Sequence, residues 1–435
     1  MDTATTNPTR EAPACAPAAS APISTLGLRR WPEPVDTSIP AWIYSDPALF
    51  QREMNVFYDG PHWNFVGLEC EIDEPGAYKR SWIGTRSVVM VRTEDGSISV
   101  LENRCAHRGS QLCWESKGVV KDFTCPYHHW NYDLQGNLLG LPFLRGAMGK
   151  GGMPRDFKKS EHGLRKLRVA TFNGVVWATF SDSTPALEDY LGEEILGLVD
   201  RATGRGKKKL RLLGYNRQLL PNNWKLYLEN SRDPYHATLL HSFFLTFGLL
   251  RTDTAFKAVP ALNGRHGIMA STYSAATAGQ QNEVTKQLAN LKTDFALEDM
   301  EVVRPVDEMG DSSMINFSVM PSIFFQQHGN SLALRHIVPK SSSQTELIWT
   351  HYGFEDDDED MTRRRLKQAN LMGPAGYVAI DDSEVLAKMQ PVVESAPDSV
   401  QLVTMGGTEH QPMDTMITET LIRGFYAYYR EQMGL

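Results

Sequence analysis

The sequence predicts an α+β protein, with a small all-β module followed by a larger part that mixes helices with antiparallel strands. Three observations carry that prediction. The chain has 435 residues, about three times the ~150 residues of an ordinary single domain. Its 41% hydrophobic and 22% charged residues suit a globular chain with a sizeable core. Short alternating strands dominate up to residue 180, and amphipathic helical periodicity then sets in between longer strands. A net charge of −8 excludes the basic footprint of a nucleic-acid binder. No apolar run approaches the ~18 residues of a membrane span, so neither nucleic acid nor membrane is an expected partner.

Residues 1–22 are rich in Ala, Pro and Thr and lack the apolar stretch of a secretory signal. They are expected to form a disordered tail, and cytoplasmic residence is the default expectation. Residues 23–39 are expected to pack on the second domain. The first domain is placed at 40–180. Within it, residues 87–93 and 97–100 flank Glu94-Asp-Gly96 and predict a hairpin with an Asp-Gly turn. Glycines punctuate 136–152, and 174–180 predicts a further strand. The second domain is placed at 181–435. Helices are expected over 188–198, 225–240, 360–371 and 416–433, and strands over 314–320 and 331–339. The acid run 355–360 predicts a solvated loop ahead of a helix.

Five cysteines are too few and too scattered for a disulfide scaffold. An odd count points to a reducing compartment, where thiols are free to bind metal. Cys105-Ala-His107 and Cys125-Pro-Tyr-His128 each pair a thiol with an imidazole on a short loop. A zinc finger usually pairs Cys with Cys and His with His. Two thiolates and two imidazoles divided between two irons are what a Rieske [2Fe–2S] centre requires. Cys113, between the loops, is expected in the core.

A second constellation follows: Glu229, Asp233, His236 and His241, spaced Glu-x3-Asp-x2-His-x4-His. Two histidines five apart lie about 140° apart on an ideal helix. Both reach one ion only if the helix ends or bulges between them. Taken alone, the pair reads equally well as two satisfied core histidines.

The two loops, Cys105-Ala-His-Arg-Gly109 and Cys125-Pro-Tyr-His-His-Trp-Asn-Tyr132, resemble the cluster loops of Rieske proteins; His129 stands where a glycine often follows the second histidine. With the His236/His241 run downstream, and with Gly373-Pro-Ala-Gly-Tyr-Val-Ala-Ile-Asp-Asp382, nearly the whole chain after the tail resembles the large (α) subunit of the Rieske ring-hydroxylating oxygenases. The resemblance implies a Rieske domain and a helix-grip catalytic domain, an antiparallel sheet wrapped around helices. It implies a mononuclear Fe(II) on His236, His241 and Asp382, a facial triad with positions open to oxygen; Asp381 is the alternative third ligand. It implies that Asp233 holds His236 and meets the cluster ligand His128 of a neighbouring subunit. Electrons would come from NADH through a reductase or ferredoxin, and the product would be a cis-dihydrodiol or a phenol. An α3 or α3β3 oligomer with a small β subunit is implied as well.

Residues 349–357, 366–376 and 418–424 are similar to the benzoate-acting branch of that family. Salicylate 5-hydroxylases lie nearest, with anthranilate, 2-halobenzoate and terephthalate dioxygenases beside them. A carboxylate substrate needs a buried cation or several donors. Arg335 and Gln326 are the candidates, with Arg335 equally readable as half of a structural ion pair. Asn230, Phe247 and Val378 are candidate pocket residues, and Phe247 reads equally well as plain core. Two other classes stay open: an electron-transfer-only Rieske protein, which would not need the second site, and a structural zinc protein, which would be colourless.

Overall fold

The computed structural model describes residues 29–204, 208–247, 255–272, 297–303, 306, 308 and 312–435. The expected tail at 1–22 lies outside them. From Trp31 onward the chain forms one compact unit.

The β-rich part contains three small antiparallel sheets. One is ordered Ile98–Glu102, Arg86–Arg92, Ala77–Ile83, Lys117–Val119. Its first two strands form the hairpin expected from the Asp-Gly turn. Gly96 there takes φ 81°, and the Asp95 carboxylate ties the turn by accepting from Ser97 N (3.1 Å) and Ser97 Oγ (2.8 Å). The second sheet joins Arg168–Phe172, Val175–Thr179 and Asn64–Leu68, and the third joins Phe123–Thr124, Asn131–Tyr132 and Leu138–Gly140.

The larger part is built on a seven-stranded antiparallel sheet. Its order is Leu210–Leu220, Gln344–Phe354, Ser331–Ser341, Ile323–His328, Ser312–Val319, His266–Thr272, Phe256–Ala261. The two faces follow from the two-residue period of a strand. Ile315, Phe317, Ile323 and Phe325 point to a core shared with Phe65 and Trp177 of the β-rich part and with the helix Leu187–Val199. Phe317 and Phe325 stack there at 4.4 Å. Asn316, Phe324, Gln326 and His328 point the other way, into a cavity. The helices Trp224–Asn230, Glu359–Met372, Tyr377–Ser395 and Thr420–Met433 supply the remaining layer.

The chain before the β-rich part is tied to the helical layer. Ser38–Pro40 pairs antiparallel with Val400–Leu402, and the Trp31 ring lies 5.6 Å from Tyr426. The helix Pro47–Glu53 starts on an Asp46 cap that accepts from Ala48 N (2.8 Å) and Leu49 N (3.1 Å). It ends at Glu53, whose carboxylate is fully buried against Lys225 Nζ (2.6 Å).

Three expectations need correction. The single helix expected over 225–240 is two helices, Trp224–Asn230 and Ala237–Leu240, parted by a turn at Asp233-Pro234. Proline lacks the N–H that a continuous helix would use there. The acid run is not wholly solvated. Asp358 caps the helix Glu359–Met372, whereas the Asp357 side chain turns inward and pairs with the buried Arg365 at 2.7 Å. Residues 377–395 form a nineteen-residue helix with Pro391 inside it, where the sequence reading placed no element.

Candidate metal centres and cavity

The two Cys-His loops share one backbone design. Cys105 N–H bonds Ser110 O (2.8 Å) and Gly109 N–H returns to Cys105 O (2.9 Å). Likewise Cys125 N–H bonds Trp130 O (2.8 Å) and His129 N–H returns to Cys125 O (2.9 Å). The fifth residue of each loop is left-handed: Gly109 at φ 74° and His129 at φ 55°. Both cysteines are buried, while the two histidines lie half-buried on the outer side with ring centroids 4.6 Å apart. His107 stacks on Trp130 at 4.8 Å with the rings 2° from parallel. Tyr132 Oη accepts from Ala106 N–H (3.2 Å), which leaves its proton for the Cys105 sulfur at 3.2 Å. Burial pushes the Cys105 thiol above its ordinary value, and the Cys125 thiol beside it adds to that. An inner pair of soft donors below an outer pair of imidazoles suits a Rieske cluster. Cys113 is buried in the core of this domain, and burial pushes its thiol up to about 12.

The second constellation forms where the helix Trp224–Asn230 breaks. Asp233 Oδ1 accepts from Tyr235 N (2.8 Å) and His236 N (3.4 Å), so the aspartate closes the turn. His236 and His241 then cap the two ends of the four-residue helix Ala237–Leu240. Because the helix stops at each, both rings reach one point, 5.2 Å apart by centroid. Asp382, from the helix Tyr377–Ser395, completes the group. Its Oδ1 lies 3.4 Å from His236 Nε2 and 3.3 Å from His241 Nε2. Asp381 reaches only the opposite nitrogen, with Oδ2 3.4 Å from His241 Nδ1. Donor atoms of His236, His241 and Asp382 lie within 4.8 Å of one another. Asn230 Nδ2 donates to Asp382 Oδ1 (3.0 Å), and Asp233 Oδ2 lies 3.3 Å from His236 Nδ1.

The electrostatics fit a cation. Burial opposes charge on His236, but Asp233 and Asp382 outweigh it and lift the imidazole to about 10. Burial also works against the Asp382 carboxylate, yet the two histidines hold it well below the usual range. Two carboxylates thus draw positive charge into the site. Two imidazoles and a carboxylate converging on one point are a donor set for Fe(II).

Beside this group lies a cavity of about 80 Å³ that opens to solvent. Asn230, Gln326, Arg335 and Val378 line it, with Asp233, His236, His241 and Asp382 at one end. Phe247 stands outside the lining and packs instead on Phe243 at 4.7 Å. Arg335 is 9% exposed and sandwiched between Trp349 (4.1 Å) and Phe324 (4.9 Å). It donates to Tyr227 Oη (3.1 Å) and to Gln326 Oε1, and its Nε is buried without a partner. Among the described residues no carboxylate stands within 4 Å of it. Burial, with Arg335 and then His241 nearby, pushes His328 down to about 4, so this wall residue is neutral.

The sequence reading missed Asn316, His328 and the apolar wall of Phe256, Met269, Met314, Phe324, Met372 and Met416. The alternation along 314–320 was visible, but which face would meet the histidines was not.

Three comparisons bear on this arrangement. Residues 199–435 match the family described as "Ring hydroxylating alpha subunit (catalytic domain)", and residues 62–156 match "Rieske [2Fe-2S] domain". The large oxygenase component of a salicylate 5-hydroxylase from Ralstonia sp is 46% identical over 412 residues, covering 93% of this chain and 96% of its own. The large subunit of an anthranilate 1,2-dioxygenase from Burkholderia cepacia is 40% identical over 409 residues, covering 93% and 95%. Among solved structures, a naphthalene 1,2-dioxygenase from Rhodococcus sp. bound to indole superposes with a TM-score of 0.76 at 24% identity, covering 91% of this chain and 94% of its own; that likeness concerns the fold.

Proposed function

The chain belongs to the Rieske ring-hydroxylating oxygenases as their large subunit, and from that premise we propose that it hydroxylates the ring of an aromatic monocarboxylate, an ortho-substituted benzoate such as salicylate (at position 5) or anthranilate. The observation that carries this reading is Arg335, a buried guanidinium on the cavity wall with no carboxylate partner among the described residues. A buried charge without a counter-charge is costly, and a substrate carboxylate would supply one. Arg335 is also the one Lys or Arg among the described residues lining the cavity, which weighs against a dicarboxylate such as terephthalate. The two relatives named above are salicylate and anthranilate enzymes, and both of those substrates bear a polar group beside the carboxylate.

In this reading Cys105 and Cys125 would hold one iron of the cluster and His107 and His128 the other. The hydrogen bond between Tyr132 and the Cys105 sulfur would steady the added negative charge of a reduced cluster held there. His236, His241 and Asp382 would hold the mononuclear iron, which would supply the oxygen chemistry with NADH-derived electrons from a reductase. Asp233 fixes the His236 ring from behind, and the Asn230 amide fixes the carboxylate of Asp382. Arg335 and Gln326 would hold the substrate carboxylate and so aim one edge of the ring at the iron. Val378 and the methionines exclude water around the ring. Asp233 is 19% exposed, which leaves it within reach of a neighbouring subunit's Rieske domain in an α3 or α3β3 assembly. The test is incubation of the holoenzyme with reductase, NADH and a panel of benzoates, followed by product identification. Hydroxylated ortho-substituted benzoate is the expected product. Turnover of uncharged arenes in preference to every benzoate would overturn the reading.

A further inference from the structure

The carboxylate clamp has a neighbour whose polar group is unused. Asn316 lies on the strand Ser312–Val319 directly opposite Gln326 of the next strand. Directly opposed residues of an antiparallel pair point to the same face, with Cβ atoms about 5 Å apart. Both line the cavity. Gln326 spends its Oε1 on Arg335. The Oδ1 of Asn316 is buried and accepts no hydrogen bond. Its strand neighbours on the same face offer nothing comparable: Met314 is apolar, and Ser318 Oγ already accepts from Arg232 Nε (2.8 Å). On the strand to its other side, Asn316 faces Met269. A buried acceptor left unsatisfied is costly, so Asn316 Oδ1 is a polar position in the cavity waiting for a donor.

Its place defines which donor. A carboxylate on Arg335 and Gln326 projects from one ring carbon, and a substituent on the adjacent carbon lies within hydrogen-bond reach of that carboxylate. One strand across from Gln326 is Asn316. We propose that Asn316 reads the substituent ortho to the carboxylate, its amide oxygen accepting a hydrogen bond from a hydroxyl or amino group there. The site then selects 2-hydroxy- and 2-aminobenzoates against benzoate and 2-halobenzoates, which leave Oδ1 unpaired. This rests on the carboxylate clamp assigned above. A pocket built to hydrogen-bond a substrate group discriminates against analogues lacking that group far more than an apolar pocket can.

The experiment compares the wild-type holoenzyme with Asn316→Leu, Asn316→Ser and Arg335→Gln. Salicylate, anthranilate, benzoate and 2-chlorobenzoate are the probes. Kd is read by calorimetry and kcat/KM with reductase and NADH, and the visible cluster spectrum reports folding. In the wild type, salicylate and anthranilate are expected to bind with a Kd about tenfold or more below that of benzoate and to show a kcat/KM about tenfold or more above it. Asn316→Leu is expected to collapse that ratio by about tenfold, and Asn316→Ser, which keeps a hydroxyl but shortens it, to reduce it partway. Arg335→Gln is expected to weaken all four ligands alike and leave the ratio standing. If the ratio survives both Asn316 substitutions while Arg335→Gln weakens every ligand, the clamp stands and the role of Asn316 is overturned. If Arg335→Gln weakens none, the clamp itself is wrong and this inference falls with it.

Discussion

Single side chains decide the chemistry at both centres. His129 occupies a left-handed position at φ 55° that its counterpart loop gives to Gly109. Histidine tolerates such a position far better than a β-branched residue does. His129→Val is therefore expected to cost about 1–2 kcal/mol and to speed loss of the cluster's visible absorbance on mild heating, with His129→Gly at least as stable as the wild type. Arg335 offers a second reading at this scale. Hydrogen bonds to charged groups contribute about 1.5–3 kcal/mol. Arg335→Gln should then raise KM for aromatic carboxylates by about 10- to 100-fold, more than it lowers kcat; steady-state kinetics on purified holoenzyme checks this. Asp381 and Asp382 show how fine the discrimination is. Adjacent on one helix, they meet different nitrogens of His241, and only Asp382 also faces His236.

Elements matter here through their ends. The helix Trp224–Asn230 stops where Asp233 and Pro234 turn the chain, and a one-turn helix then sets two histidines five residues apart on a common point. The same helix is anchored in the core by charge. Lys225 is fully buried against Glu53, which also accepts from Trp224 Nε1 (2.9 Å) and Tyr429 Oη (2.5 Å). Removing one partner of a buried pair costs about 3–5 kcal/mol. Glu53→Ala should therefore lower unfolding stability by that much in a denaturant titration, and the double replacement Glu53→Met with Lys225→Met should recover much of it. Glu229, one turn further on, accepts from Tyr426, and burial pushes its carboxyl from the ordinary 4.5 up to about 7 despite the nearby tyrosines and Lys225. A carboxyl raised in the folded state binds its proton more tightly there than in the unfolded chain. Its contribution is complete below about 4.5 and is lost as pH rises through about 7. Glu229→Gln should flatten the slope of stability against pH across that window, measured by urea unfolding at pH 5 and pH 7.5.

At the scale of the whole molecule the two centres belong to different cores. The Cys105/Cys125 loops pack around Tyr132, Trp130 and Leu134, whereas the cavity wall of Phe256, Met269, Phe324 and Val378 forms a separate cluster. Loss of one centre should then spare the other. His236→Ala is expected to abolish substrate oxidation and lower iron content while keeping the dithionite-bleachable cluster spectrum; metal analysis beside visible spectroscopy checks it, and a colourless protein would contradict it. Among the described residues no helix is long and apolar enough to cross a membrane. Much of this was legible in the residues themselves. Ligand spacing in the Cys-His loops is local, because two donors two or three residues apart on a tight turn must share a centre. The hairpin at Asp95-Gly96 and the periodic helix 359–372 are local in the same sense. The break after Asn230 was foreseeable only as a condition, since a helix must stop if both histidines are to meet one ion. The nineteen-residue helix bearing Asp382 was not foreseen, nor the pairing of Asn316 with Gln326, nor that no carboxylate among the described residues stands beside Arg335. Those depend on which strand lies next to which and which face turns inward. Residue type and short-range spacing determined the chemistry the chain can host. Only tertiary packing decided which side chains share the cavity, because a strand's alternation defines two faces and the choice between them is made by burying one against Phe65 and Trp177.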